Sequence, residues 1–132
     1  MAMSVQMELH KIVISEMKEQ QIIVLQEVDG ERTFPIVIGS AEAHAIHRRL
    51  NGETTPRPLT HDLLANVIGQ LGGTVERIEI THLLDHTFFA AIHIRLNGKT
   101  IAIDSRPSDA IALGIATMVP IFVAEDVLKQ VC

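Results

Sequence analysis

A strand-to-helix junction that occurs twice constrains the fold of this chain more than any other feature. Ile36-Val37-Ile38-Gly39-Ser40, leading to His44-Ala45-Ile46 and Leu50, aligns without a gap onto Ile101-Ala102-Ile103-Asp104-Ser105, leading to Asp109-Ala110-Ile111 and Ile115. In both segments alternate apolar residues mark a strand with one buried face, and the spacing then changes to that of a helix opened by Ser. The same order precedes each: two longer strands, a turn with Gly, then the short strand. Chance recurrence of a common cap explains the junctions but not the matching order upstream. A duplicated strand-strand-strand-helix unit explains both, and it predicts an α+β fold with a mixed, mainly antiparallel sheet and helices packed against it.

Strands are expected at Met7 to Ser15, Ile22 to Val28 and Thr33 to Ile38 in the first unit, and at Val75 to Leu83, Thr87 to Leu96 and Thr100 to Ile103 in the second. Pro35 removes a backbone donor, which favours an edge or bulge for its strand. Asn97-Gly98 is a two-residue hairpin signal. A helix from Ser40 to Asn51-Gly52 would turn Ala43, Ile46, His47 and Leu50 inward. Another would bury Leu63, Leu64, Val67, Ile68 and Leu71 before Gly72-Gly73 ends it. Ala110 to Met118 is apolar almost all round and should be buried on more than one side, with any exposed remainder available for assembly into an oligomer. A short strand, Ile121 to Ala124, and a helical turn or two from Glu125 follow.

One domain over residues 1–132 is expected, since 47% of the residues are hydrophobic and the length suits a single core. No run reaches the roughly 20 apolar residues of a membrane span, and the beginning lacks the pattern of a secretory signal, so the cytoplasm is the expected compartment. Cys132, the single cysteine, excludes an intramolecular disulfide and a cysteine-rich zinc site. A formal charge of -5 opposes nonspecific attraction to a phosphate backbone, so any contact with nucleic acid must be local. With no Trp, no Tyr and four Phe, the chain has no evident platform for stacking bases.

Two segments hold the candidate chemistry, each an arginine-proline pair at a helix start: Arg57-Pro58-Leu59-Thr60-His61-Asp62 and Arg106-Pro107-Ser108-Asp109. A strand-to-helix turn gathers exposed backbone donors and the positive end of the helix dipole, where anions bind. Asp62, Asp104 and Asp109 offer oxygen ligands for a divalent cation such as Mg or Mn, and serve equally as general bases. Arg57 and Arg106, with Thr60 and Ser108, offer contacts to a phosphate. His61 suits proton transfer, but neighbouring residues on a helix point about 100° apart, so His61 and Asp62 need a third group between them. The competing reading makes these residues helix-start furniture: Ser105 and Thr60 as caps, Pro107 in the first turn, Asp109 complementing the dipole. His47 on the apolar stripe reads as a packed histidine, His44 nearer the polar side as a weak site candidate, and His82 and His86 as flanks of a surface loop. No Gly-x-Ser-x-Gly, Gly-x-Gly-x-x-Gly or phosphate-loop lysine motif is present.

The first segment, together with Asp85-His86-Thr87-Phe88-Phe89-Ala90, Ile103-Asp104-Ser105-Arg106-Pro107-Ser108-Asp109-Ala110-Ile111-Ala112-Leu113 and Val119-Pro120-Ile121-Phe122-Val123, resembles the bifunctional nuclease domain family. The resemblance covers nearly the whole chain in the family's order, with Ser105 standing where a smaller residue, often Ala, is usual. It implies a small α+β domain that cleaves phosphodiester bonds of RNA or DNA with low sequence specificity. The chemistry of the residues themselves then assigns catalysis to His61, Asp62, Asp104 and Asp109, metal to the three aspartates, and substrate to Arg57, Thr60, Arg106 and Ser108. The rival expectation from another class is a noncatalytic domain, oligomeric, that binds an anion or a protein partner at the same helix starts.

Overall fold

The computed structural model describes residues 3–132. Strands β1 (Ser4–Val13), β2 (Gln20–Glu27) and β3 (Thr33–Gly39) lead into helix α1 (Ser40–Leu50). Helix α2 (Thr60–Gln70) comes next. Strands β4 (Thr74–Leu84), β5 (Thr87–Leu96) and β6 (Lys99–Ser105) lead into α3 (Pro107–Thr117), and β7 (Ile121–Ala124) and α4 (Glu125–Val131) follow. All seven strands form one sheet in the order β3-β2-β1-β7-β4-β5-β6. Every pairing is antiparallel except β4 with β7, so the fold is α+β with a mixed, mainly antiparallel sheet.

The order places β1, β2 and β3 on one side of β7 and β4, β5 and β6 on the other, with each edge strand feeding a helix. Pro35 accordingly sits on edge strand β3, where a missing donor costs no ladder bond on the open side. Flat strands at about 4.8 Å spacing would hold β3 and β5 about 24 Å apart. The rings of Phe34 on β3 and Phe88 on β5 nevertheless stand 5.8 Å apart. The sheet therefore coils strongly around its apolar face, and one core gathers Ile23, Leu25, Ile36, Ile78, Ile80 and Val123.

Helix α3 fills that concavity, with Ala110, Ile111, Leu113 and Gly114 all buried. A Cβ on Gly114 would lie 2.7 Å from Ile78 Cγ1, so the glycine sets how closely α3 approaches β4. The other helices depart from expectation in instructive ways. Only Ala43 and Ile46 of α1 are buried, and His47 and Leu50 face outward. In α2 no residue is buried, and Leu63, Val67 and Leu71 are 56%, 44% and 76% exposed. Exposed apolar surface was expected on α3; it is found on α2, because α3 is enclosed by α1, α2 and the sheet.

Turn chemistry also differs in places. Asn97 and Gly98 adopt left-handed φ of 53° and 78°, as a two-residue hairpin requires. Asp85 and His86 do the same at 49° and 64°, so β4 and β5 meet in a tight turn where a surface loop flanked by His82 and His86 was expected. Gln21, expected in a polar connection, is buried in β2, and its amide donates to the Ser15 and Lys18 carbonyls. The serine caps are not formed: Gly39 and Arg106 occupy the N-cap positions of α1 and α3, and Ser105 donates instead to the Arg106 carbonyl. Thr60 is likewise the first residue of α2 rather than its cap, Leu59 taking that place. Pro107 does occupy the first turn of α3.

Candidate functional site

The two arginine-proline segments converge. His61, in the first turn of α2, points its Nε2 at Asp109 Oδ1 in the first turn of α3, 3.1 Å away. The contact spans 48 residues of sequence and supplies the third group that His61 needed. Arg106 Nε donates to Asp109 Oδ2 at 2.8 Å, and Arg106 Nη2 donates to Glu42 Oε1 at 2.7 Å. Asp109 thus accepts from both a histidine and an arginine, while Arg106 ties the start of α3 to the start of α1.

Electrostatics follow from these contacts. Partial burial pushes the Asp109 carboxyl up, but hydrogen bonds from Arg106 and then His61 outweigh it, and the net shift is below the ordinary value of 3.8. An ionised carboxylate can only accept, so His61 Nε2 carries the proton in this pair and Nδ1 is left as the acceptor of a neutral imidazole. Arg106 is held above the usual arginine range by Asp109 first and Glu42 second. Its Nη1 has no protein partner among the described residues and remains a donor for a ligand oxygen.

His61 stands between two concavities. On one side a groove of about 690 Å³ runs between α2 and strands β5 and β6, with Leu64, Ile68, Ile92, Ile94 and Ile103 along its length and Arg106 and Asp109 at its polar end. On the other a cleft of about 310 Å³ lies between α1, the 51–59 connection and α2, walled by Arg48, Arg49, Arg57 and Asp62. Of the residues singled out from sequence, Thr60, His61, Asp104, Arg106 and Asp109 border the groove, and Arg57, His61 and Asp62 border the cleft. Ser108 is buried within α3 and borders neither.

Asp62 is already engaged. Its Oδ2 accepts from the Leu59 backbone N–H at 3.0 Å, and its Oδ1 lies 3.9 Å from Arg49 Nη1. Asp104 pairs in register with Ala91, and strand alternation turns it to the sheet face opposite Ile103. Among the described residues no group of three or more His, Cys, Asp or Glu is placed to hold a metal ion. Asp62, Asp104 and Asp109 therefore do not form a ligand set within one chain.

Sequence reasoning missed Glu42, Arg48 and Arg49. Glu42 was visible as an acid in the first turn of α1, and the two arginines as a basic last turn, but each of these also suits the helix dipole and so stood out from nothing. His44 contacts only its own turn, with Nδ1 2.7 Å from the Ser40 carbonyl.

Fold and site together define a small α+β domain with a histidine-aspartate-arginine centre at two helix starts. The chain belongs to the bifunctional nuclease domain family, whose model matches residues 23–132. An uncharacterized protein of Mycobacterium tuberculosis is 38% identical over 117 residues, covering 89% of this chain and 70% of that protein. Bifunctional nuclease 1 of Oryza sativa subsp. japonica is 27% identical over 103 residues, 75% of this chain and 31% of its own length. Bifunctional nuclease 2 of the same plant is 27% identical over 112 residues, 82% of this chain and 34% of its own length. Among the described residues no helix is long and apolar enough to cross a membrane.

Proposed function

We propose that the chain hydrolyses phosphodiester bonds of RNA or DNA with low sequence specificity, and that the His61–Asp109 pair is its proton-transfer centre. The observation that carries this reading is the 3.1 Å contact joining two segments 48 residues apart, with Arg106 beside it. His61 Nδ1 takes a proton from the attacking water, and the water oxygen bonds to phosphorus. The bond from phosphorus to the leaving oxygen breaks, and that oxygen takes a proton from solvent. Asp109 holds the imidazole in orientation and stabilises its cationic form. Arg106 Nη1 meets the charge that builds on the non-bridging oxygens, and Arg57, in the cleft on the other side of His61, adds a contact to the substrate backbone. The low sequence specificity fits a groove whose length is aliphatic rather than patterned with donors and acceptors. A divalent ion such as Mg or Mn, held by one or two carboxylates and the substrate's own phosphate oxygens, would add charge stabilisation to these steps.

Cleavage of labelled RNA and DNA, each with Mg, with Mn and with EDTA, tests the proposal on the wild-type chain and on Asp104→Asn, Asp109→Asn and His61→Ala. Loss of cleavage in the last two supports it, and cleavage that survives both overturns it. A second reading, a noncatalytic anion-binding domain, draws on the guanidiniums of Arg48, Arg49 and Arg57 around the cleft. A wild-type chain that binds an oligonucleotide and cuts none of it would establish that reading.

We propose too that copies of the chain associate through α2, whose Leu63, Val67 and Leu71 form an uncovered stripe at helical spacing. Sedimentation as a monomer at micromolar concentration would remove the idea.

A further inference from the structure

The cleft on the far side of His61 holds more cationic groups than its surroundings neutralise. Arg48, Arg49 and Arg57 face Glu53 and Asp62 across it, three guanidiniums against two carboxylates. Asp62 has one oxygen committed to the Leu59 N–H and the other 3.9 Å from Arg49, while Glu53 stands exposed at the rim without an ion pair. Arg57 makes no ion pair among the described residues. Arg48 Nε is buried with no hydrogen-bond partner, the only such side-chain atom among the described residues. A buried guanidinium N–H without an acceptor is costly, and three guanidiniums around one space repel each other. An anion in the cleft would relieve that repulsion.

The floor leaves room for it. Ala45, Ala112 and Ala116 line the cleft, and Arg49 is braced from beneath, its Nη2 donating to the Ala116 carbonyl at 2.8 Å. Planar guanidiniums match phosphate oxygens in geometry as well as charge. His61 walls this cleft and the groove alike, so a strand whose scissile phosphate sits at His61 and Arg106 must carry a neighbouring phosphate toward one of the two. The groove is aliphatic and suits bases and sugars; the cleft is cationic.

We infer that Arg48, Arg49 and Arg57 bind the backbone phosphate next to the scissile one, which makes the cleft a second phosphate subsite beside the His61–Asp109 centre. The inference rests on the nuclease reading for the identity of the scissile phosphate, but the cleft's affinity for a polynucleotide can be measured without cleavage. It also reconciles a chain of net charge -5 with a polyanionic ligand, since the attraction is concentrated in one place.

The probe is a fluorescein-labelled octamer of 2′-O-methyluridylate, shown by gel electrophoresis to stay intact through the measurement, titrated with the full chain by fluorescence anisotropy at several KCl concentrations. Arg48→Gln and Arg57→Gln should each weaken binding by about tenfold, the worth of one charge-assisted hydrogen bond, and reduce the slope of log affinity against log salt by about 0.7. Arg95→Gln, which breaks a pair with Glu76 on β4, should change neither. Melting curves followed by circular dichroism show which variants are folded, and Arg57 on the exposed connection keeps the test usable if Arg48→Gln unfolds. Affinity and salt slope unchanged in folded Arg48→Gln and Arg57→Gln overturn the inference even if the wild-type chain cleaves RNA or DNA. Wild-type binding that needs these arginines, without any cleavage, leaves the phosphate site standing and removes the nuclease reading.

Discussion

The junctions β3–α1 and β6–α3 share a sequence pattern and a place in the sheet, yet they do opposite work. Placing Ser40 on Ser105 puts His44 opposite Asp109, and His47, Arg48 and Arg49 opposite Ala112, Leu113 and Gly114. His44 bonds back to its own turn, whereas Asp109 receives His61 from another helix and Arg106 from its own first turn. The apolar run of α3 lets it sink into the coiled sheet, and the basic run of α1 keeps that helix at the surface, where its arginines border the cleft. Equal topology thus fixes where a helix starts. Whether the start becomes a site depends on what packs beside it, and only α3 has α2 delivering a histidine to its first turn.

The sharpest way to break this contrast is to remove the equivalent side chain from each junction. Asp109→Asn removes the carboxylate charge and leaves one acceptor oxygen where His61 and Arg106 each used one, and cleavage should fall about 10²–10⁴-fold, the usual worth of a positioned acid-base group. His44→Ala should leave the rate within about twofold. Steady-state rates on one labelled RNA decide the matter, and similar losses in both variants would show that the two junctions are functionally alike.

Stability should divide along the same line. Leu113 of α3 is fully buried, and Leu113→Ala should cost about 2–5 kcal/mol through lost burial and the cavity left behind. Leu50 of α1 is 53% exposed, and Leu50→Ala should cost less than about 0.5 kcal/mol. Urea unfolding of the two variants measures the difference, and comparable losses would contradict the deep and shallow seating of the two helices.

Much of this was legible in the sequence because alternation and helical spacing respond to a single variable, which face meets the core. The hairpin at Asn97-Gly98, the edge position of β3 and the burial of α3 follow from that variable and from backbone chemistry. The outward turn of His47 and Leu50 and the bare stripe of α2 do not, because an apolar stripe shows that a helix has a face to cover without showing whether this chain covers it. The insertion of β7 between β1 and β4 was equally hidden, since a four-residue strand carries no mark of its neighbours. In the site, His61 and Asp109 were visible as residue types at helix starts, but their contact depends on how α2 lies across α3. Glu42, Arg48 and Arg49 were hidden by the ordinary preference for acids early and bases late in a helix.

Acid should separate the junctions next. The Asp109 carboxyl is held below 3.8 in the folded chain, so the stability it contributes is complete above that ordinary value and disappears as pH falls through the lower folded value. Wild-type and Asp109→Asn stability curves should therefore run apart above about pH 4 and converge below it. Curves for Asp109→Asn that stay parallel to wild type across the same range would show that the pairs with Arg106 and His61 contribute nothing to the fold.

The smallest expected effect bears on whether the two junctions act as one unit. Arg106 is 67% exposed at its side chain and bridges Glu42 of the first junction to Asp109 of the second, so it is the only ion pair linking the starts of α1 and α3 among the described residues. An exposed pair of this kind is worth at most about 1 kcal/mol, and Glu42→Gln alone should cost no more than that. The informative quantity is the coupling. Because both carboxylates hold one guanidinium, losing Glu42 frees Arg106 to lean on Asp109, and losing Asp109 frees it to lean on Glu42. The double variant should then be less stable than the sum of the single changes by about 0.5 kcal/mol, the lower end of what contacting residues show. Strict additivity would mean that each junction stands alone and that Arg106 serves the second junction only. In that event Glu42→Gln should leave cleavage untouched, whereas a coupled pair makes it fall by about twofold as Arg106 loses one of its two anchors.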